Sequence, residues 1–152
     1  MLIKPNSDSS ILISAMTRKT IVTVSSVTLG ISGLILSLAP DFLWESQNVK
    51  VTSIILVFMQ ILGALYLSFA ILNWSARDNL LGGIYNRTII LANFTHYLVG
   101  FISLLEVQIL NYNVNYKICL LALIYCTFSI SFGIMLITNP NLEEPKSFKL
   151  QK

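Results

Sequence analysis

Four runs of predominantly apolar residues, separated by short polar segments, account for most of this chain. They occupy residues 20–38, 51–74, 84–105 and 116–138. About twenty apolar residues are what a helix needs to cross roughly 30 Å of hydrocarbon. Because a backbone in lipid must satisfy its polar groups internally, each run is predicted to be a transmembrane helix. The sequence therefore predicts an all-α fold, an integral membrane four-helix bundle with up-down-up-down topology.

Composition supports this interpretation and removes other classes of protein. Charged residues make up 11% of the 152 residues and hydrophobic residues 55%, whereas soluble domains carry about 25% charged residues. The length leaves no room for a separate soluble catalytic domain, so residues 1–19 and 139–152 are predicted to be short polar tails. The net charge of +3 comes from scattered cations with no basic stripe, so nucleic acid is not expected as a partner.

Lysine and arginine are distributed unequally between the two ends of the predicted helices. The two tails and the middle link carry eight of them: Lys4, Arg18, Lys19, Arg77, Arg87, Lys146, Lys149 and Lys152. The opposite ends carry two, Lys50 and Lys117. Since cytoplasmic segments of membrane proteins are enriched in Lys and Arg, both termini are predicted to be cytoplasmic.

In three of the runs, residues that are mostly small recur at helical spacing and define one face of each predicted helix. These faces are Ser26, Gly30, Gly33 and Ser37 in the first run; Gln60, Gly63, Ala64, Leu67 and Ile71 in the second; and Cys119, Ala122, Cys126, Ser129 and Gly133 in the fourth. Small side chains on a shared face let a neighbouring helix approach closely. We therefore expect these faces to be packing seams.

The third run carries the only histidine of the chain, His96, in a polar stripe with Asn93, Gly100 and Ser103. Counting along the helices, His96 lies about 18 Å from the predicted inner end of its run, and Gln60 lies about 20 Å from the inner end of the second run. Buried polar groups are costly in hydrocarbon without partners, so both are expected to face the bundle interior, with Gln60 near His96. Gln60, Asn93 and His96 are the candidate ligand-binding residues.

Two interpretations of this polar level stay open. In the structural one, its hydrogen bonds fix the register of the helices and are worth about 0.6 kcal/mol each. In the functional one, His96 accepts a proton or contacts a ligand, because an intramembrane ionisable residue marks a site. The sequence identifies no catalytic residue. No Asp, Glu, Lys or Arg lies deep in any run, and a b-type haem would need a second histidine from another copy, so no metal or cofactor is expected.

Amides, an indole and two arginines flank the link between the second and third runs. The candidate lipid-headgroup residues are Asn73, Trp74, Arg77, Asn86 and Arg87. Arginines beside amides and aromatic rings at headgroup depth can hold an anionic lipid headgroup. The alternative is that these residues only anchor the helix ends at the interface and set the topology.

Several short motifs fall in the second and third runs. They are Gln60-x-x-Gly63-Ala64, Asn73-Trp74, Tyr85-Asn86-Arg87 and Asn93-x-x-His96. In these motifs the chain resembles small uncharacterised four-span bacterial inner-membrane proteins, and it is similar to the DoxX-like group in size and span number only. The resemblance implies a location in the bacterial inner (plasma) membrane and no particular activity.

Two functions are compatible with these patterns. The first is a non-enzymatic bundle that binds lipid or a partner, where the partner is another membrane protein or a second copy of the chain. The alternative is a membrane enzyme or carrier for a lipophilic small molecule held around His96. A packing role predicts a filled interior around His96, whereas a site predicts a cavity that reaches it.

Overall fold

A computed structural model describes residues 7–40, 52–78, 84–110 and 116–138 of the chain. In these ranges the chain forms four helices and no strand. The helices are α1 (Ser7–Leu38), α2 (Ser53–Ala76), α3 (Ile84–Leu110) and α4 (Tyr116–Ile137). The C-terminal tail, the first six residues and most of the connecting segments lie outside the described residues, and the predicted tails are therefore followed only in part.

Each of the four helices contains a stretch long and apolar enough to cross a membrane: Met16–Leu38, Ser53–Ala76, Asn86–Leu110 and Tyr116–Ile137. Large apolar side chains cover the outside of the helices. Phe58 is 65% exposed and Ile71 is 68% exposed, for example. Such surfaces are stable in hydrocarbon and unfavourable in water. The prediction of an all-helical integral membrane protein is confirmed.

The first helix is longer than its predicted span, because α1 begins at Ser7 within the predicted tail. No proline or glycine lies between Pro5 and Gly30, so nothing in the backbone chemistry interrupts the helix before the membrane span. The hydropathy pattern marked only the part of the helix that is apolar enough to cross the bilayer. Its 32 residues correspond to a length of about 48 Å, which exceeds the hydrocarbon layer by more than three turns.

Residues 1–78 and 79–152 form two compact units, and each unit is built on one pair of packed helices. In the first unit α1 and α2 run antiparallel: Ser26 contacts Ala70 near one end of the pair, and Gly33 lies against Gly63 towards the other. The second unit pairs α3 with α4 in the same antiparallel sense. The alternation predicted within each pair is confirmed, while the assembly of the two pairs into one bundle stays a prediction.

Close approach of small residues defines the α1–α2 contact, as the small-residue pattern predicts. A Cβ atom added to Gly33 would lie 2.8 Å from the Gly63 carbonyl oxygen and 2.9 Å from the Leu67 nitrogen. Gly30 faces the Cβ of Ala70 at an ordinary contact distance of 3.6 Å. The seam predicted for the first helix is therefore confirmed.

The predicted face of α2 is only partly right. Gly63 is buried in the seam, but Gln60, Ala64 and Ile71 are exposed. The residues that α2 buries are Gly63, Ala70, Asn73 and Ala76. At 3.6 residues per turn, Ala70, Asn73 and Ala76 all lie to one side of Gly63 around the helix axis. The predicted contact face of α2 was centred on the other side of Gly63.

The α4 face is shifted in a similar way. The helix buries Ala122, Tyr125, Ser129, Phe132 and Met135. Ala122 and Ser129 belong to the predicted small-residue stripe, whereas Cys119 is exposed and Cys126 is half-buried. Aromatic rings bury far more apolar area than cysteines, and they therefore decide which side of α4 packs against α3.

Candidate functional site

The polar stripe of α3 begins with Asn93, which is fully buried. Its Nδ2 atom donates a hydrogen bond of 2.9 Å to the backbone carbonyl of Ile89, one turn earlier in the same helix. Gly100 continues the stripe inside the α3–α4 contact, but Ser103 is exposed. The stripe is thus fully buried at Asn93, half-buried at His96 and Gly100, and exposed at Ser103.

His96 lies beside two tyrosine rings. Its ring centroid is 5.1 Å from that of Tyr97, in an edge-to-face arrangement, and 5.7 Å from that of Tyr125 on α4. The residue as a whole is half-buried, and its Nε2 atom is buried. Aromatic pairs at these separations are attractive, so the imidazole is part of a packed cluster of rings.

That aromatic cluster joins α3 to α4 and is centred on Tyr97. The ring of Tyr97 stacks on Phe128 at 4.7 Å and on Phe132 at 5.8 Å, and it meets Tyr125 edge-on at 5.3 Å. Tyr97 is 1% exposed and Phe132 is fully buried. The sequence analysis missed this cluster. The sequence feature that could have revealed it is the spacing of Tyr125, Phe128 and Phe132 on α4, which follow one another after three and four residues.

Two glycines make room for aromatic rings in this pair of helices. A Cβ atom on Gly100 would overlap the ring of Tyr125. A Cβ atom on Gly133 would lie 3.2 Å from the ring of Phe94. The glycines of α3 and α4 therefore accept rings from the opposite helix, whereas Gly33 and Gly63 bring two backbones together.

Gln60, the third candidate ligand-binding residue, is exposed on α2 in the first unit. Asn93 and His96 both belong to the second unit, where they lie one turn apart on α3. The structure brings Asn93 and His96 to the same helix pair, and the predicted proximity of Gln60 to His96 stays a prediction.

Asn73, a candidate headgroup residue, lies inside the α1–α2 seam. Its side chain is fully buried, and Nδ2 donates a hydrogen bond of 3.1 Å to Oγ of Ser25, which is also fully buried. One turn away, Oγ of Ser26 donates a bond of 2.7 Å to the carbonyl of Ala70. The Asn73 amide therefore serves the helix contact and is not presented to a lipid headgroup.

Trp74 and Arg77 follow Asn73 at the C-terminal end of α2 and form a stacked pair. The guanidinium carbon of Arg77 lies 3.6 Å from the centroid of the Trp74 ring, a cation–π arrangement. The Nη1 atom of Arg77 also donates a hydrogen bond of 2.9 Å to the Trp74 carbonyl. Half of the Trp74 surface is exposed. The arginine is therefore held at a defined place beside an exposed indole.

Asp78 joins this pair to α1. Its carboxylate lies 2.6 Å from Nζ of Lys19 and 3.4 Å from Nε of Arg77. The hydrogen bond from Lys19 is the main reason that the pKa of Asp78 lies below its ordinary value, with smaller electrostatic contributions from the two cations. The sequence analysis did not single out Lys19 or Asp78 as functional residues. Only the fold brings them together, since they lie 59 positions apart.

The other candidate headgroup residues lie in the first turn of α3. Asn86 is buried and Arg87 is exposed. Arg18, one residue before Lys19 on α1, is also buried, with 6% of its surface exposed. The single headgroup patch predicted from Asn73 to Arg87 is thus divided between the two units, and its assembly stays a prediction. Among the described residues, no group of three or more His, Cys, Asp and Glu side chains could hold a metal ion.

No protein-family model, curated protein or solved structure matches the chain. The function of the protein must therefore be inferred from its own residues.

Proposed function

We propose that this protein is a non-enzymatic integral membrane protein that binds lipid, or a membrane-protein partner, within the bilayer. The observation that carries the proposal is the hydrogen bond between Asn73 and Ser25, both of which are fully buried between α1 and α2. A catalytic or carrier residue must reach its substrate, whereas these polar groups are enclosed by the helix contact. Their role is to hold the two helices in register.

The surroundings of His96 support the same conclusion. The imidazole packs against Tyr97 and Tyr125, and the centre of this cluster is filled by rings. A filled neighbourhood is what a packing role predicts. A lipophilic substrate would instead need an apolar pocket with a few convergent polar groups.

Exposed apolar side chains on the helices form a surface that can bind lipid or a partner helix. On α2 the residues Ile54, Phe58, Ile61 and Leu65 are all more than half exposed. They recur every three or four positions, so they form one continuous apolar face along the helix. In a bilayer this exposed face is suited to contact with lipid chains or with another apolar helix.

His96 provides the experiment that tests the proposal. Native mass spectrometry and an absorption spectrum would be recorded on protein purified in mild detergent, for the wild type, His96→Leu and His96→Phe. We expect retained phospholipid or a co-purifying protein in all three. His96→Leu should lower the unfolding temperature, and His96→Phe should largely restore it by keeping a ring at this position. A small molecule or chromophore that is present in the wild type and lost in both variants would contradict the proposal and favour the membrane enzyme or carrier.

We further propose that the protein lies in a bacterial inner membrane with both termini in the cytoplasm. The distribution of Lys and Arg supports this orientation. Single cysteines would be introduced as Ser9→Cys, Ser46→Cys, Asn113→Cys or Ser147→Cys after replacing Cys119 and Cys126 by serine. On intact cells, an impermeant maleimide should label positions 46 and 113, and it should label positions 9 and 147 only after the cells are opened. The opposite pattern would reverse the orientation.

A further inference from the structure

We propose that one end of the α1–α2 pair binds the headgroup of an anionic phospholipid. This end carries Lys19, Trp74, Arg77 and Asp78. We call these four residues the cationic clasp. The inference rests on the proposed function, since it names the class of lipid that the protein binds and the residues that bind it.

The clasp has an excess of positive charge. Asp78 supplies one negative charge between the two positive charges of Lys19 and Arg77. Ammonium and guanidinium groups carry more N–H donors than the three contacts made to Asp78 and to the Trp74 carbonyl require. Side-chain exposure is 57% for Lys19 and 25% for Arg77, so the cations can be reached from outside. A phosphate group complements this combination of charge and donors.

The position of the clasp selects a lipid over a soluble anion. Trp74 is two residues from the end of a 24-residue apolar helix, and the membrane-crossing stretch of α2 ends at Ala76. Arg77 and Asp78 follow directly, so the charged groups fall at the depth of the lipid headgroups. An exposed indole at this depth contacts the upper part of a lipid chain while the cations reach its phosphate.

The contacts within the clasp also hold the Arg77 side chain in place for binding a headgroup. Stacking on Trp74 and the bond to the Trp74 carbonyl fix the guanidinium before any lipid arrives. A preorganised group loses less conformational entropy on binding than a free side chain does. Lys19 approaches from α1, so a bound headgroup would contact both helices of the pair.

Fluorescence of Trp74 reports directly on the lipid next to the clasp. The chain has two tryptophans, so Trp44→Phe leaves Trp74 as the only indole. This protein would be reconstituted in phosphatidylcholine vesicles that contain a minor fraction of brominated phosphatidylglycerol or, in parallel, of brominated phosphatidylcholine. Bromine quenches an indole only at short range, so the ratio of the two quenching constants gives the relative affinity of the clasp for the anionic headgroup.

We expect phosphatidylglycerol to be preferred by about fivefold, the enrichment that one net positive charge produces at an interface. In the same background, Lys19→Gln and Arg77→Gln should each bring the ratio close to one. Asp78→Asn should raise it further, because the competing carboxylate is lost. Lys117→Gln is the matched control, which removes one cation at the start of α4 and should leave the ratio unchanged. Circular dichroism would verify that each variant remains helical.

Equal quenching by the two lipids would overturn the inference, and so would a ratio that falls as much in Lys117→Gln as in Arg77→Gln. Loss of the preference on adding inorganic phosphate, but not on adding chloride to equal ionic strength, would assign the clasp to a soluble anion and also overturn it. If the preference is absent while native mass spectrometry still finds a retained lipid or partner, the site is wrong and the proposed function stands. If nothing is retained either, both fail.

Discussion

Asn73 and Ser25 are joined by a hydrogen bond of 3.1 Å between Nδ2 and Oγ, and neither side chain is exposed. The bond connects the C-terminal end of α2 to the middle of α1. Together with the bond from Ser26 to the Ala70 carbonyl, it places two polar contacts within one turn of each other. In hydrocarbon such groups favour the register in which they meet, because other registers would leave them facing lipid.

A double-mutant cycle on Asn73→Leu and Ser25→Ala measures this contact. We expect a coupling free energy of about 0.6 kcal/mol, the average for interhelical hydrogen bonds in membrane proteins. Unfolding in mixed detergent micelles gives the free energy of unfolding of the wild type, the two single mutants and the double mutant. Ser68→Ala is the control, since Oγ of Ser68 is exposed and bonds only to the Ala64 carbonyl of its own helix. Additive effects of Asn73→Leu and Ser25→Ala would show that the bond contributes nothing.

Gly63→Ala should destabilise the α1–α2 pair by about 1–3 kcal/mol, the usual cost of overpacking. The added Cβ would lie 2.7 Å from the Ser37 nitrogen and 2.9 Å from the Gly33 carbonyl oxygen, and neither backbone atom can move without separating the helices. Gly30→Ala is the matched control, because its Cβ would meet only Ala70 at 3.6 Å. Alanine also has the higher helix propensity, so the control should be neutral or stabilising. Equal effects of both substitutions on the unfolding free energy would contradict the close approach at Gly63.

Gly100→Ala should destabilise the α3–α4 pair, since the new methyl group would occupy the space of the Tyr125 ring. The expected cost is again about 1–3 kcal/mol. In a Tyr125→Leu background the same substitution should cost clearly less, because the smaller side chain leaves room. Gly133→Ala should be milder than Gly100→Ala, since the ring edge of Phe94 at 3.2 Å needs to shift only slightly. The prediction fails if Gly100→Ala costs the same in both backgrounds, as measured by thermal unfolding in detergent.

Asp78 should titrate below the ordinary pKa of an aspartate, because Lys19 donates a hydrogen bond to its carboxylate. A folded-state pKa that is lower than the unfolded one contributes stability above the unfolded value of about 4, and this stability is lost as the pH falls through the folded value. Lys19→Gln should raise the pKa of Asp78 towards its ordinary value, while Lys117→Gln should not change it. Carbon-13 shifts of labelled aspartate carboxyl groups, assigned by the signal that Asp78→Asn removes, would measure both. An unchanged midpoint in Lys19→Gln would show that the pair does not form in the membrane.

The candidate site could be predicted from the sequence only in part. Periodicity identified Asn93 and His96 as neighbours on one helix, because a spacing of three residues fixes two side chains on one face. It did not identify Tyr125 on α4 as an aromatic partner of His96, because the period of each helix does not say which of their faces meet. The same limit applies to Lys19 and Asp78, which are ordinary charges just outside the predicted spans until the fold brings them together.

By itself, the sequence determined that the protein is helical and that four segments can cross a membrane. Those properties follow from the length of the apolar runs and from the need to satisfy the backbone inside each segment. The sequence located the C-terminal ends of the first and fourth segments to within one residue but ended the third segment five residues early. Tertiary structure alone decided that Asn73 is enclosed with Ser25 and that Gln60, Ala64 and Ile71 are exposed. It also decided that the α4 seam follows Tyr125 and Phe132 and leaves Cys119 exposed. The reason is that almost every residue in these helices is apolar or small, so hydrophobicity cannot mark the inner side, and the fit of small residues and rings between two helices selects it instead.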